Sequence, residues 1–244
     1  MPYSKVKIYV PDIKAPFKQG SYSYSNPSTK SQNIEMVKRI DRTYGGTISY
    51  WAFQFDIPKG VIVAFIATES GGTMAKPNRY KATGLMQVTP NALWECARKW
   101  SNEVDEPLPT TAKSLITQKV PDFFTSKSSS PNSSQESKIL SALEKDANFN
   151  IMAGTLVLRW LIERFSTNLT GGQLNKAMVA YNAGAYLSAL QVPGTRTTPN
   201  QVPIDSTLLA KNSRVPAESR AYLYKMLGVD GFMALIYKDK AIQP

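Results

Sequence analysis

The stretch Val61-Ile-Val-Ala-Phe-Ile-Ala-Thr-Glu69-Ser70-Gly-Gly72 limits the possible folds more than any other part of the chain. Ile62, Phe65, Ile66 and Glu69 recur at i, i+3, i+4 and i+7, the spacing of one helical face. Asp56 is placed to cap the start of such a helix, and Pro58 fits its first turn. Gly71 and Gly72 stop it one residue after Ser70. The sequence therefore drives a carboxylate toward the interior at the end of a buried helix. Desolvation there raises a carboxyl pKa and keeps its proton available near neutral pH, as a general acid requires. A Glu so placed also serves in structural ion pairs, so the rest of the chain has to decide between the two readings.

Elsewhere the pattern is mainly helical. Ser31 is expected to cap a helix carrying Ile34, Val37, Ile40 and Tyr44 and ended by Gly45-Gly46, with Ile48 to Phe55 as a separate helix. Lys76 to Thr83 reads as a polar turn, Gly84-Leu-Met-Gln87-Val88 as a short extended piece, and Thr89-Pro90 as the start of a helix through Trp100. Residues 101–147 are weakly patterned. The Ser-rich run Thr125 to Gln135 within them reads as a mobile surface loop. Phe149 to Phe165 is a long helix, apolar on most faces. A Gly inside a helix costs about 1 kcal/mol relative to Ala, so Gly154 points to close packing. Leu174 to Leu190, Ala217 to Leu227 and Gly231 to Tyr237 are further helices, with a Pro- and Thr-rich loop from Gln191 to Ser206. These patterns divide the chain into an N-terminal extension over residues 1–32, with a strand-like Lys5 to Val10, and one domain over 33–244 in which 101–147 is an insertion.

Composition removes whole classes of chemistry. The chain has no histidine, which excludes Ser-His-Asp and Cys-His catalysis and HExxH zinc sites. Cys96 is the single cysteine, so no intrachain disulfide forms, and its helical neighbours Leu93, Ala97 and Trp100 suggest a packed thiol. A net charge of +11 favours polyanionic surroundings without choosing among nucleic acid, membrane and an anionic cell wall. The basic residues are scattered rather than blocked, which disfavours a nucleic-acid partner. The first residues lack a signal-peptide core, and the longest apolar run, Val61 to Ala67, is too short to span a bilayer.

Four stretches then line up in order: Glu69-Ser70; Gly84-Leu85-Met86-Gln87; Ala180-Tyr181-Asn182-Ala183-Gly184; and Glu218-Ser219-Arg220-Ala221-Tyr222. Asn150-Ile151 and Ala153-Gly154 lie between the second and third. The ordered set resembles the lytic transglycosylase domain of the soluble lytic murein transglycosylase type, in the lysozyme-like superfamily. The resemblance runs from about Ile34 to about Met233. Two departures stand out: the segment from Gln87 to Asn150 is longer than in that family, and Ser219 stands where Thr is common.

The resemblance implies a mainly α, lysozyme-like α+β fold with a minimal β region. It also implies cleavage of the β-1,4 bond between N-acetylmuramic acid and N-acetylglucosamine in peptidoglycan, with no metal and no cofactor. Glu69 is then the catalytic acid/base. Ser70, Met86, Gln87, Tyr181, Asn182 and Tyr222 are the substrate-binding set, with Ser70 orienting the Glu69 carboxylate or the glycan and Tyr222 near the Glu69 carboxyl. Each of these residues also has a plain structural reading. Met86 suits core packing, Asn182 a helix end beside Gly184, and Tyr181 and Tyr222 aromatic core positions.

Two other functions fit the same residues. A lysozyme-type muramidase would hydrolyse the same bond with a second acid, for which Asp146, Glu218 and Glu95 are the candidates. A non-catalytic structural or DNA-handling virion protein could retain the fold alone. A murein-acting chain without an export signal is expected to travel in a virion or injection machine, with residues 1–32 docking to its proteins. The alternative is release from the host cytoplasm at lysis.

Overall fold

In the computed structural model, residues 29–104, 106–165, 172–202, 204, 206–228 and 230–243 are described. The docking segment expected over residues 1–32 lies almost wholly outside them. The expected mainly helical architecture holds. The described β structure is confined to isolated bridges, Thr83 with Val88 and Gln191 with Pro199. This is consistent with an α-rich lysozyme-like fold with minimal β structure.

Two helices form the centre. Helix α2 spans Lys59–Glu69 and buries every residue from Gly60 to Thr68. Helix α6 spans Ala147–Arg164 and is buried on all faces along most of its length. A helix apolar all round belongs in a core, because no face of it gains from water. Around these two pack α1 (Lys30–Phe55), α3 (Pro90–Glu103), α5 (Ser133–Lys145), α7 (Gly172–Ala183), α9 (Ala217–Leu227) and α10 (Phe232–Tyr237), with α4 (Thr110–Lys119) and α8 (Ser206–Lys211) further out.

Helix α1 corrects the expected break. It is continuous through Gly45-Gly46 and begins at Thr29, which forms a capping box with Gln32, rather than at Ser31. Two glycines cost a helix about 2 kcal/mol. Val37 and Ile40 before them, and Ile48, Trp51 and Phe55 after them, are buried along one stripe. Each such side chain contributes about 1.5–3 kcal/mol, so burial outweighs propensity. The two glycines differ. A Cβ on Gly45 would meet Asp41, which pairs with Lys59 at 2.6 Å, whereas nothing lies within 4 Å of one on Gly46. Gly46→Ala is therefore expected to raise stability by about 0.5–1 kcal/mol in urea unfolding, and a loss would contradict the continuous helix.

Asp56 also differs from expectation. It ends α1 in a left-handed conformation (φ 49°) instead of capping α2, whose N-cap is Pro58 with no side-chain bond. The α1 carbonyls left open at that end, Phe55 and Asp56, accept hydrogen bonds from the buried Arg159 of α6 at 3.0 and 3.2 Å. Arg159 also pairs with Glu163 at 2.6 Å. The Ser-rich run is shorter as a loop than expected. Asn132 and Gln135 form a capping box that starts α5, and Gln135 is buried, bonded to Asp122 at 2.6 Å. The carbonyls of Ser126 and Ser128 are held by Arg98.

Candidate active site

Glu69 is the last residue of α2, half-buried at the edge of the core. Its Oε1 accepts a hydrogen bond from the Tyr222 hydroxyl at 2.8 Å. Phe65, one turn earlier, meets the Tyr181 ring edge-on with centroids 5.0 Å apart and the Tyr222 ring at 6.2 Å. The spacing that puts Phe65 and Glu69 on one face thus wraps the carboxyl in aromatic surface. Burial is the main influence on Glu69 and pushes its pKa up to about 7. The Tyr222 hydrogen bond and the charge of Lys225 oppose the rise, and Glu218 adds to it. Both tyrosine pKa values lie well above the ordinary value, first through burial and then through the Glu69 charge. Both phenols therefore remain protonated, and Tyr222 remains a donor to Glu69.

A tight turn forms the second part of the site. Gly84 adopts φ 76°, and a Cβ there would fall 1.9 Å from the Asn150 amide nitrogen, so only glycine fits. Asn150, fully buried on α6, donates to the carbonyls of Thr83 and Leu143 and accepts from the Met86 N–H, all at 2.9 Å. Tyr181 of α7 donates its hydroxyl to the Met86 carbonyl at 2.8 Å. Tyr181 thus clamps the Gly84–Gln87 turn and, through Phe65, borders Glu69. Gln87 follows with φ 48°, half-buried, its amide nitrogen bonded to the Gly84 carbonyl at 2.9 Å.

Three of the residues named from the resemblance are engaged differently than implied. The Met86 side chain is wholly buried, and a Cβ on Gly154 would meet its sulfur at 2.4 Å. Its side chain fills the space Gly154 leaves open, so it is packing rather than sugar-contacting surface. Ser70 directs its hydroxyl to the Ile66 carbonyl and accepts from the Gly72 N–H, both at 3.2 Å. It closes the end of α2 and makes no bond to the Glu69 carboxyl there. Asn182 accepts from the buried Ser219 hydroxyl at 2.6 Å, tying the end of α7 to the first turn of α9. The third and fourth sequence motifs meet in that bond.

Sequence reasoning assigned no role to Asn150 and overlooked Lys225. Lys225 sits one turn after Tyr222 on α9 and donates to the Thr68 carbonyl at 2.6 Å. The i, i+3 spacing from Tyr222 was a usable signal. The acids considered for a second catalytic carboxyl are occupied elsewhere or act at a distance. Asp146 caps α6 and pairs with Lys119 at 2.8 Å, and Glu95 pairs with Lys99 at 2.6 Å. Glu218, exposed in the first turn of α9, reaches Glu69 through its charge. Among the described residues no group of three or more His, Cys, Asp or Glu side chains could hold a metal ion, and no helix is long and apolar enough to cross a membrane.

Residues 46–112 match the family model of the Transglycosylase SLT domain. The matched stretch contains Glu69, Ser70 and the Gly84–Gln87 turn and ends before Asn150, Tyr181 and Tyr222. It supports a lytic-transglycosylase-type domain that cleaves glycosidic bonds, with peptidoglycan as substrate. No curated protein matches the chain.

Proposed function

We propose that this chain is a peptidoglycan lytic transglycosylase in which Glu69 alone serves as acid and then base. The observation that carries the reading is the Glu69 carboxyl itself, half-buried among aromatic rings, with a pKa near 7 and one hydrogen bond from Tyr222. Most glycosidases need two carboxyl groups across the scissile bond. Asp146 and Glu95 are taken up in ion pairs, which favours a mechanism that needs only one.

In the first step Glu69 gives its proton to the glycosidic oxygen. The muramic C1–O bond breaks, and N-acetylglucosamine leaves with a free 4-hydroxyl. The muramic acetamido oxygen stabilises the positive charge at C1, as substrate assistance does elsewhere. Glu69, now a carboxylate held by the Tyr222 hydroxyl, takes the proton of the muramic C6 hydroxyl. That oxygen bonds to C1 and closes a 1,6-anhydro ring, and the acid form of Glu69 is restored. No water is consumed. Tyr181 borders Glu69 through Phe65 and holds the Gly84–Gln87 turn, and Asn182 ties α7 to α9, the helix that carries Tyr222.

The products distinguish this mechanism from hydrolysis. Mass spectrometry of digested peptidoglycan is expected to find anhydro-muramic ends, each about 18 Da lighter than a reducing end by the loss of one water, while a muramidase would yield reducing ends. Reducing ends as the sole product would replace the transglycosylase reading with the hydrolase.

A further inference from the structure

Glu69 occupies an electrostatically adverse place. The last carbonyls of a helix carry partial negative charge, and a carboxylate at that end is repelled by them. Helix α2 has no basic residue in its last turn, so it supplies no compensation of its own. The compensation comes from α9. The Lys225 ammonium donates to the Thr68 carbonyl, one residue before Glu69, and lies 6.0 Å from the centre of the Phe232 ring. Lys225 is half-buried, so its charge is incompletely screened by solvent.

We propose that Lys225 is a positioning residue for Glu69, holding a positive charge against the last turn of α2 so that the carboxyl can release its proton and exist as a carboxylate between the two steps. This rests on the acid/base role proposed for Glu69. Burial in aromatic surroundings makes the acid form easy to keep and hard to give up. A nearby cation restores acid strength without occupying the carboxyl oxygens, which stay free for the glycosidic oxygen and the C6 hydroxyl. The coupling is mutual: the Lys225 charge lowers the Glu69 pKa, and the Glu69 charge raises that of Lys225 against the lowering by burial.

The other groups around the carboxyl are accounted for. Tyr222 donates to it from α9, Glu218 of the same helix acts on it through its charge, and Tyr181 borders it from α7. Arg39 of α1 is bonded to the Gly71 carbonyl at 2.6 Å, beyond the helix end. Tyr237 of α10 lies against Gly60, at the opposite end of α2. Of these, Glu218 raises the Glu69 pKa, which leaves Lys225 as the cation acting on it from α9.

Loss of a helix-end contact alone would lower stability at every pH without moving the titration of Glu69, whereas loss of a charge acting on the carboxyl moves that titration and kcat with it, and this separates the two roles. The difference in stability between Glu69 and Glu69→Gln proteins, followed against pH, reports the Glu69 titration whether or not Glu69 is catalytic. It should be measured in the wild-type background and with Lys225→Met or Lys225→Arg. With Lys225→Met the midpoint is expected to rise by about one pH unit, the lower end of what loss of a close opposite charge produces. On isolated murein, kcat is expected to fall by up to about tenfold with KM unchanged, and Lys225→Arg should restore both readouts. An unmoved midpoint in Lys225→Met would overturn the proposal, even if overall stability fell. A shifted midpoint together with full activity of Glu69→Gln would instead retain the coupling and remove the catalytic role of Glu69.

Discussion

Glu69→Gln is expected to abolish lysis of isolated murein while leaving the fold intact. The substitution keeps the shape of the side chain and an oxygen to accept from Tyr222, but it removes the only proton the proposed mechanism can donate. General acid–base catalysis contributes roughly 10²- to 10⁴-fold, so turnover should fall by at least about a hundredfold. A murein zymogram with both proteins gives the first answer, and release of muropeptides gives the number. A variant with near wild-type activity would remove Glu69 from the chemistry and favour a lysozyme-like fold used structurally.

The same substitution should stabilise the protein above neutral pH. The Glu69 pKa is raised from the ordinary 4.5 to about 7 in the folded state. Between those values the folded protein holds a proton that the unfolded chain has released, so stability falls as pH rises through this window. Below about pH 4.5 both states are protonated and the contribution is intact; above about pH 7 it has been lost. The full difference corresponds to about 3 kcal/mol. Glu69→Gln does not titrate, so its advantage should be near zero at about pH 4 and reach about 3 kcal/mol at about pH 8. In a domain of this size that equals a rise of roughly 6–12 °C in melting temperature. An advantage independent of pH would mean that Glu69 is not held in a desolvating environment. Activity gained at the cost of stability is the usual trade at a functional site.

The parts of this site that could be read from sequence are those set by local spacing. The period of Ile62, Phe65, Ile66 and Glu69 fixed the carboxyl on a buried face, and Gly154 inside an apolar helix announced a close neighbour, which proved to be Met86. Local rules failed where a distant contact outweighed them. Gly45-Gly46 reads as a helix stop, yet the stripe from Val37 to Phe55 packs on α2 and α6 and carries the helix through. Asp56 reads as a cap for α2, but Arg159, more than a hundred positions away, bonds the carbonyls at the end of α1 and favours ending it there. Helix α5 was hidden because its start is Ser-rich, although Asn132 and Gln135 carry the spacing of a capping box. In the candidate site the motifs name segments that the fold links by hydrogen bonds, without saying which atoms each offers. Met86 and Ser70 use theirs on their own surroundings, and Lys225 reaches Glu69 from the far end of the chain.

Asn150 gives the sharpest test of how the site is held together. Its side chain pairs one buried N–H and two buried carbonyls on three separate segments: the Gly84–Gln87 turn, the strand-like residue before it and the end of α5. Asn150→Ala leaves the Met86 N–H unpaired and takes a donor from the Leu143 and Thr83 carbonyls in a place without solvent, the Thr83 carbonyl keeping only its bond from the Val88 N–H at 3.1 Å. A buried group left unpaired costs about 1–3 kcal/mol, so with the Thr83 carbonyl still bonded and partial relaxation the total should be about 2–4 kcal/mol, toward the severe end for a single substitution. Urea unfolding should register it as a lower midpoint with an unchanged slope. Asn150→Asp is expected to be no milder. It keeps an acceptor for the Met86 N–H but sets a second oxygen against the Thr83 and Leu143 carbonyls, where a donor is required. Activity on murein should fall in both variants beyond what unfolding explains, because Tyr181 anchors on the same turn through the Met86 carbonyl. A loss below about 1 kcal/mol in Asn150→Ala would show that the turn is held without Asn150, by the Thr83–Val88 bridge, the Gly84–Ala75 bond and the Tyr181 hydroxyl on the Met86 carbonyl.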